Sequence, residues 1–308
     1  KYKLPFISSR LITSILSIFQ IIKIFFITQR SNTLLFSFQS NIFPIIISKI
    51  FFRKVIIRNS EDALEATKYA DEYLLAVLVL VLKSIIYNFA DGIIANSVKS
   101  KNSLERILIR KKLVKLIYNP YLKKNLKIKK TKKKNIILSI GRLCKQKDYE
   151  TLIKGFHLFQ KSYKNYKLVI IGHGNYLEKL QNLTNKLELN KKIFFKGWIK
   201  KTDKYLLNSK IFILTSLYEG LPNVLIDAVN FEIPVISTKC SGAEDILTVR
   251  YGNFFEMKNS HDLGKKIKYV ASNYKLHKNK IVNSKKTICR FSVLSQSKRY
   301  LNFCNKFI

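Results

Sequence analysis

The sequence predicts an α/β protein of two domains, each built around a parallel sheet that is covered by helices. Its 308 residues are long for one compact domain and sufficient for two. Beyond about residue 130, short apolar runs alternate with amphipathic segments, which is typical of buried parallel strands joined by crossover helices. The segment 122–134 is dense in Lys and poor in apolar residues, and it indicates a linker between the two halves.

The second half carries the clearer strand pattern. Its predicted strands are Asn135–Ile140, Lys167–Ile171, Lys192–Phe195, Ile211–Leu214, Pro234–Ser237 and Asn253–Phe255. Helices are predicted over Tyr149–Phe159 and Leu177–Leu187. Because the carboxyl ends of parallel strands share one edge of the sheet, we expect ligands to bind there.

The first half shows the same alternation less regularly. Its predicted strands are Thr33–Phe38, Lys54–Ile57, Gly92–Ala95 and Lys115–Tyr118. Two apolar runs, Leu11–Phe26 and Leu74–Leu82 with its continuation to Phe89, are shorter or more interrupted than the about 20 apolar residues of a membrane-spanning helix. They predict buried or interfacial helices, and this domain opens with a helix and lacks initial strands.

These patterns divide the chain into three segments. Residues 1–130 are predicted to form a partial first domain, and residues 131–285 a second domain. Residues 286–308 are predicted to form a C-terminal helix that returns to the first domain. The chain starts at Lys1 and its only methionine is Met257, so we expect it to be a fragment of a longer product.

Charge is strongly unbalanced, with 57 Lys plus Arg against 19 Asp plus Glu and a net charge of +38. Such a chain attracts anionic lipid surfaces, phosphate-bearing substrates or nucleic acid. An AT-rich coding sequence would give the same abundance of Lys, Asn, Ile and Phe without any partner. The most Lys-dense segment, 123–134, holds no aromatic residue for stacking on bases, which disfavours a nucleic-acid partner.

Cysteine usage indicates a reducing compartment. The four cysteines are scattered and have no histidine at metal-ligand spacing, so they predict reduced thiols and no metal site. No secretory signal pattern is present. We therefore expect a cytoplasmic protein.

The first chemical motif follows the strand that ends at Ile140. Gly141 allows a sharp turn, and Arg142 and Lys147 then place two cations over one crevice. Arg can bind two phosphate oxygens and Lys acts as a movable point charge, which suits a departing diphosphate. In a Lys-rich chain, the alternative is an ordinary solvated surface.

The second motif is the run 215–228, in which a strand feeds a loop and then a helix. Gly220 allows close approach, Pro222 suits a helix start, and the free amides there attract phosphate or sugar oxygens. Glu219 and Asp227 lie eight residues apart, so one carboxylate falls at the helix start and the other on its body. Both are candidates for binding hydroxyl groups, with a solvated helix face as the alternative.

Together these motifs resemble the signature of glycosyltransferase family 4, the group 1 glycosyl transferases. In that family Glu-Gly-x-Pro-x-x-x-x-Glu-Ala follows a strand, and Gly-Arg-Leu-x-x-x-Lys lies earlier in the chain. Further matching segments are Gly172–Gly174, Phe195–Gly197 and Pro234–Thr238, and weaker ones are Ala90–Ser97 and Ile117–Pro120. The specific match covers roughly residues 135–270.

The resemblance implies a GT-B fold, in which two Rossmann-like domains with parallel sheets face a cleft. It implies that Arg142 and Lys147 stabilise the leaving diphosphate and that Glu219 contacts the donor sugar. Asp227 would bind the ribose, and Gly197, Trp198 and Ile199 would line the base pocket. The complete set of implied donor-binding residues is Gly141, Gly197, Trp198, Ile199, Gly220, Leu221, Pro222, Asn223, Val224 and Asp227.

The function implied is that of a retaining, metal-free and cofactor-free hexosyltransferase. It would move a sugar from a nucleotide-diphosphate donor, with a UDP-sugar expected, to a glycan or lipid-linked acceptor in surface polysaccharide biosynthesis. Positive charge and apolar helices fit a peripheral position on the anionic inner face of the cytoplasmic membrane. The alternatives are a truncated, inactive remnant that only binds nucleotide-sugar, a nucleic-acid-binding protein, and an epimerase or phosphorylase of the same fold.

The sequence departs from the family pattern at three points. Asp227 stands where the family usually has Glu and is one methylene shorter. No glycine-rich loop precedes Leu34. All four histidines lie in the second half, and residues 59–61 (Asn-Ser-Glu) occupy the loop where a first-domain histidine is expected. His173, between two glycines, is either a donor contact or a plain loop residue.

Overall fold

The computed structural model describes residues 19–28, 33–111, 114–123, 126 and 133–308. Within them lie two parallel sheets, one of four strands in the order β1-β2-β3-β4 and one of six in the order β10-β9-β8-β5-β6-β7. Every strand pair in both sheets is parallel. The predicted α/β class is therefore confirmed.

The first sheet has short strands separated by helices. Its strands are β1 Leu34–Ser37, β2 Lys54–Asn59, β3 Gly92–Ala95 and β4 Val114–Leu116. The helices are α1 Ile42–Ile50, α2 Ala63–Lys68, α3 Tyr73–Ile86 and α4 Val98–Ile107, and residues 19–27 are also helical. Of the predicted helix Leu11–Phe26, residues 11–18 lie outside the described residues.

The second sheet is longer and more regular. Its strands are β5 Lys134–Ile140, β6 Lys167–Ile171, β7 Ile193–Phe195, β8 Ser209–Leu214, β9 Val235–Thr238 and β10 Asn253–Phe255. The helices are α5 Tyr149–Gln160, α6 Leu177–Lys186, α7 Asp203–Asn208, α8 Asn223–Asn230, α9 Ala243–Tyr251, α10 Ser260–Ser272, α11 Tyr274–Ser284 and α12 Val293–Cys304. Each predicted strand boundary lies within about two residues of the observed one.

The central strands of the second sheet are buried on both faces. In β5, Leu138 packs into one apolar cluster and Ile137 into another, and both side chains are 0% exposed. In β8, Phe212 packs into the same cluster as Leu138, and Ile213 packs into the same cluster as Ile137. This double burial explains why these strands read as continuous apolar runs in the sequence.

The C-terminal helix α12 packs on the first sheet. Tyr300 and Phe303 cover a cluster that contains Ile56 and Ile94, and the Phe36 and Tyr300 ring centroids are 5.9 Å apart. The chain reaches this position beside the linker, where the Val293 N–H donates to the Leu122 carbonyl. Lys134 already belongs to β5, and most of the predicted linker 122–134 lies outside the described residues.

Helix α3 is apolar over most of its 14 residues, yet none of its side chains is buried. The sequence predicted a helix here that was either buried or interfacial. Among the described residues, no helix combines the length and the apolar character needed to cross a bilayer.

Candidate active site

The carboxyl ends of the two sheets meet at one cleft. The Asp62 N–H, after β2, donates to the Glu219 carbonyl, after β8, over 3.1 Å. A Cβ atom on Gly220 would lie 1.9 Å from the Ser60 carbonyl oxygen, so only glycine allows this approach. The loop after β2 therefore touches the loop that carries the acidic motif.

Lys147 and Glu219 form an ion pair within this cleft. The Lys147 Nζ lies 2.5 Å from the Glu219 Oε1, and the two side chains are only 14% and 12% exposed. Two hydrogen bonds hold the loops that carry this pair together: the Leu217 N–H donates to the Gln146 carbonyl, and the Thr215 hydroxyl donates to the Lys147 carbonyl. The two sequence motifs are thus brought together.

The turn that carries Lys147 has a tightly defined shape. Residues Lys145–Lys147 form a single 3-10 turn, and Asp148 then adopts a left-handed conformation with φ 44°. The Asp148 carboxylate accepts from the Thr151 N–H and so caps α5. Burial raises the pKa of Asp148. The turn and the cap together aim Lys147 at the next loop.

Arg142 lies at the exposed side of the same crevice. Its Nη2 donates to the Gln146 Oε1 over 3.4 Å, and the Gln146 Nε2 donates to the Tyr218 carbonyl over 2.9 Å. A Cβ on Gly141 would lie 3.1 Å from the Lys147 Cε and 3.1 Å from the Tyr149 hydroxyl oxygen, so both side chains pack closely against this glycine. Gln146 is a site residue that the sequence motifs did not reveal.

The loop after β8 ends at the start of α8. Pro222 occupies the N-cap position and makes no side-chain cap hydrogen bond. Among the described residues, the amides of Asn223 and Val224 have no acceptor, as expected for the first turn of a helix. A Cβ on Gly242, which follows β9, would lie 2.4 Å from the Gly220 carbonyl oxygen. A third loop therefore supports the helix start.

Asp227 lies on the second turn of α8 and accepts a hydrogen bond from the Tyr121 hydroxyl over 2.6 Å. Burial raises the pKa of Asp227 to about 6; the Tyr121 hydrogen bond opposes this rise and the nearby Asp203 adds to it. Burial beside Asp227 also raises the pKa of Tyr121. Tyr121 follows the Asn119-Pro120 dipeptide, just before the predicted linker, and no motif marked it.

The loops after β5, β6 and β7 lie side by side at the same edge. The Gly172 N–H donates to the Gly197 carbonyl over 2.8 Å, and a Cβ on Gly172 would lie 1.9 Å from the Gly141 carbonyl oxygen. Trp198 is 68% exposed, whereas Ile199 packs against the cluster that includes α8. His173 is exposed, and its carbonyl accepts from the Leu143 N–H.

A polar network crosses from the first domain to α8. The Arg58 Nη2 donates to the Asn119 Oδ1 over 2.7 Å, and the Asn119 Nδ2 donates to the Asn223 Oδ1 over 3.1 Å. Nearby, the Ser241 hydroxyl donates to the Asp62 Oδ2 over 2.6 Å. Asn223 belongs to the predicted site. Its partners Asn119 and Arg58, and the Asp62–Ser241 pair, were absent from it, because each one acts through a partner that is distant in sequence.

The part of the chain that the structure describes contains no group of three or more His, Cys, Asp or Glu side chains placed to hold a metal ion. Its acidic side chains are partnered instead by lysine, tyrosine and serine. The groups that converge at the cleft include two cations, the Glu219 carboxylate and the amides of a helix start.

Comparison with known proteins identifies the family and the fold. The sequence profile of the family described as Glycosyl transferases group 1 matches residues 123–287. An uncharacterized glycosyltransferase of Methanocaldococcus jannaschii is 31% identical over 225 residues, which are 67% of this chain and 55% of that protein. The chain thus spans about half the length of that relative.

A second relative comes from Campylobacter jejuni. It is named N-acetylgalactosamine-N,N'-diacetylbacillosaminyl-diphospho-undecaprenol 4-alpha-N-acetylgalactosaminyltransferase, and it is 26% identical over 83% of this chain and 72% of its own. Among solved structures, Anabaena HepE in complex with UDP and glucose superposes with a TM-score of 0.76 at 18% identity, over 88% of this chain and 77% of that one. The GT-B fold implied by the resemblance, with two Rossmann-like domains facing a cleft, is confirmed.

Proposed function

The chain belongs to the group 1 glycosyl transferases, and we propose that it holds the transfer site of a retaining enzyme. The donor is a nucleotide-diphosphate sugar, with a UDP-sugar proposed, and the acceptor is a glycan or a lipid-linked glycan of surface polysaccharide biosynthesis. The observation that carries this proposal is the 2.5 Å pair of Lys147 and Glu219 beside the start of α8.

In this proposal the cleft binds the donor through its diphosphate. Lys147 and Arg142 stabilise the negative charge that grows on the leaving group, and the amides at Asn223 and Val224 bind phosphate oxygens. An incoming diphosphate competes with Glu219 for the Lys147 ammonium, which frees the carboxylate to accept from hydroxyl groups of the donor sugar. After the exchange Lys147 is paired with the diphosphate, and the Glu219 carboxylate is satisfied by hydrogen bonds from the sugar hydroxyls.

Transfer on the front face of the donor fits this arrangement of charges. The acceptor oxygen bonds to the anomeric carbon on the side from which the diphosphate departs, and the bond between that carbon and the phosphate oxygen breaks. Its electron pair leaves with UDP, and the acceptor hydroxyl proton passes to the departing phosphate oxygen. Positioning and leaving-group stabilisation account for the rate, so no metal or cofactor is required in this proposal.

The nucleoside half of the donor is assigned to the second domain. Asp227 would accept from the ribose hydroxyls, and the segment Gly197–Ile199 would line the base pocket. UDP is the proposed nucleotide because Anabaena HepE, which shares the fold, was solved with UDP. A surface polysaccharide pathway is proposed because curated relatives include a Staphylococcus aureus capsular polysaccharide biosynthesis glycosyltransferase.

We also propose that the first domain works at the anionic inner face of the cytoplasmic membrane. Support comes from the net charge of +38 and from the exposed apolar side chains of α3, such as Leu74 at 84% and Leu78 at 55% exposure. Amphipathic surfaces of this kind bind anionic bilayers by combined burial and electrostatic attraction.

A nucleotide-sugar-binding remnant without activity is the second candidate. It is motivated by Asp227, which is one methylene shorter than the glutamate that the family pattern has at this position. UDP release from a UDP-sugar panel in the presence of lipid-linked glycans separates the two functions, because the remnant binds donors without releasing UDP over many turnovers.

Donor binding is tested by thermal shift with UDP. We expect UDP to raise the melting temperature of the wild-type chain and to have a much smaller effect on Arg142→Ala and Lys147→Ala, with affinity lowered by about tenfold or more in each. Lys161→Ala is the matched control, because Lys161 is the C-cap of α5, at the opposite end of this helix from Lys147 and Asp148. Unchanged UDP affinity in both site variants would remove the roles assigned to these cations.

A further inference from the structure

Asp62 is a buried carboxylate at the junction of the two domains, and no sequence motif marked it. It occupies the N-cap of α2 and is 4% exposed. Its Oδ1 accepts from the Glu65 N–H over 3.1 Å, and its Oδ2 accepts from the Ser241 hydroxyl over 2.6 Å. Glu65 lies on α2 of the first domain, and Ser241 lies in the loop after β9 of the second. The two oxygens of one carboxylate are therefore bonded to different domains.

The bond between Asp62 and Ser241 is shielded from water at both ends. Ser241 is 1% exposed, and a hydroxyl that donates to a carboxylate forms a charge-assisted hydrogen bond. In such surroundings water competes little with the donor. Removing the Ser241 hydroxyl would leave the Asp62 Oδ2 buried without this donor, which costs more than the loss of an exposed hydrogen bond.

An ion pair between Lys145 and Asp71 also joins the domains, but it is more exposed. The Lys145 side chain is 39% exposed and the Asp71 side chain 70% exposed. Exposed pairs of this kind contribute little, because solvent and salt screen them. We therefore expect the bond between Asp62 and Ser241 to do more than this ion pair to hold the domains closed.

The backbone of Asp62 holds the acidic loop of the second domain. The Asp62 N–H donates to the Glu219 carbonyl over 3.1 Å. Gly242, which follows Ser241, packs against the carbonyl of Gly220, the next residue of that acidic loop. Asp62 belongs to the first domain, whereas Glu219 and Ser241 belong to the second. Moving the domains apart therefore breaks both interdomain bonds of Asp62 together.

We propose that Asp62 is a positioning residue for sugar transfer and that it acts through Glu219. Its carboxylate holds the domains closed through Ser241, and its amide fixes the Glu219 loop only in that closed state. The inference rests on the proposed function, because Glu219 is assigned there to the donor sugar. When a diphosphate takes Lys147 from Glu219, the bond from the Asp62 amide keeps the Glu219 backbone in place.

Three substitutions separate the interdomain bond from the helix cap. Ser241→Ala removes the hydroxyl and leaves α2 unchanged. Asp62→Ser keeps an oxygen that caps α2, but its side chain is one bond shorter and does not reach Ser241. Asp62→Asn caps α2 through its oxygen and donates from its amide to the Ser241 hydroxyl, so it is the conservative variant. Ser272→Ala is the matched control, because it removes a hydroxyl that is bonded to Tyr163 within the second domain.

Hydrogen–deuterium exchange without any ligand tests the interdomain bond. We expect the amide at position 62 to lose about tenfold of its protection in Ser241→Ala and in Asp62→Ser, since opening of the domains frees it from the Glu219 carbonyl. Asp62→Asn should lie closer to the wild type than Asp62→Ser, and Ser272→Ala should match the wild type. Unchanged protection at position 62 overturns the inference. So does an equal loss throughout β3 and β8, because the bond would then serve only general stability.

Kinetics test the positioning of Glu219, with UDP-glucose and UDP-N-acetylglucosamine as donors. In Ser241→Ala we expect kcat for UDP release to fall by about tenfold while the Kd of UDP stays unchanged, because the groups assigned to the diphosphate lie in the second domain. The double variant Asp62→Ser/Ser241→Ala should be no slower than either single variant, since both remove one bond. A wild-type kcat in Ser241→Ala, or losses that multiply in the double variant, contradicts the positioning role.

UDP titration of the wild type separates this inference from the proposed function. If the wild type neither binds UDP nor releases it from either donor, the donor proposal fails. Faster exchange at position 62 in Ser241→Ala then still supports the hold of Asp62 on the Glu219 loop, and unchanged exchange refutes it. If UDP binds and is released normally in every variant, the donor proposal stands and the role of Asp62 is wrong.

Discussion

At the scale of residues, the cleft contains a few charged side chains that are largely shielded from water. The Lys147 and Glu219 side chains are 14% and 12% exposed, and removal of one partner leaves the other uncompensated. Asp227 is held differently, by burial and a single hydroxyl donor. Its raised pKa makes the site sensitive to pH in a range where ordinary carboxylates are already ionised.

That pKa gives a prediction about stability. The pKa of Asp227 is about 6 in the folded protein against 3.8 for the free group, so the folded state holds the proton more tightly. The stabilisation is present at low pH and is lost as pH rises through 4 to 6. Between pH 4.5 and pH 7 the loss amounts to about 2 kcal/mol. Urea unfolding at both pH values, compared with Asp227→Asn, isolates this contribution.

The quantity compared is the free energy of unfolding of the wild type minus that of Asp227→Asn at each pH. The other carboxylates titrate alike in both proteins, so their contributions cancel. Asn keeps an acceptor for the Tyr121 hydroxyl and cannot ionise. We expect the wild type to lose about 2 kcal/mol more than the variant on going to pH 7. A difference that stays constant with pH would show that burial does not raise this pKa.

The residues within the two motifs could be predicted from the sequence, whereas the residues that hydrogen-bond to them could not. Lys147, Glu219 and the glycines stand in recognisable patterns. Tyr121 meets Asp227 across 106 residues and Asn119 meets Asn223 across 104. Such partners have no local signature, because only the fold brings them together.

At the scale of elements, the strands could be predicted because burial on both faces makes them continuous apolar runs. β6 and β10 were predicted with their observed boundaries. β8 begins two residues earlier than predicted, at Ser209, because the polar Ser209 and Lys210 continue the pairing without an apolar signal. The exposure of α3 could not be predicted, because an apolar helix has the same sequence pattern whether or not another element packs against it.

Loop contacts at this scale are tested with glycine substitutions. A Cβ on Gly220 would lie 1.9 Å from the Ser60 carbonyl oxygen and 2.6 Å from the Asn96 Nδ2, whereas one on Gly197 would meet nothing within 4 Å. We expect Gly220→Ala to destabilise the protein by about 2 to 4 kcal/mol and to weaken UDP binding. Gly197→Ala should cost about 1 kcal/mol, from its φ of +66°.

Guanidinium unfolding and UDP titration of both variants give the comparison. Neither substitution adds a polar group. The difference in unfolding free energy between the two variants therefore reports the steric contact between the loops after β2 and β8. Equal stability of Gly220→Ala and Gly197→Ala would mean that the loops after β2 and β8 do not touch in solution.

At the scale of the whole molecule, the two domains are joined by contacts distributed around the cleft. The Lys145 Nζ lies 2.9 Å from the Asp71 Oδ1, and the Val98 N–H donates to the Asp245 Oδ2 over 2.8 Å. α12 packs on the first sheet although it follows the second domain in the chain. The two-domain plan could be predicted from the alternation and the linker. The interdomain contacts could not, since Val98 and Asp245 are 147 residues apart.

The central claim is that a nucleotide diphosphate binds between two cations and the start of α8. A crystal structure of the chain with UDP tests it most directly. The expected result is a diphosphate within hydrogen-bond distance of the Lys147 Nζ and of the amides of Asn223 or Val224, with Glu219 released from Lys147. A diphosphate bound elsewhere, for example in the basic cavity lined by Lys68, Lys99 and Arg106, with the Lys147–Glu219 pair intact, would contradict it.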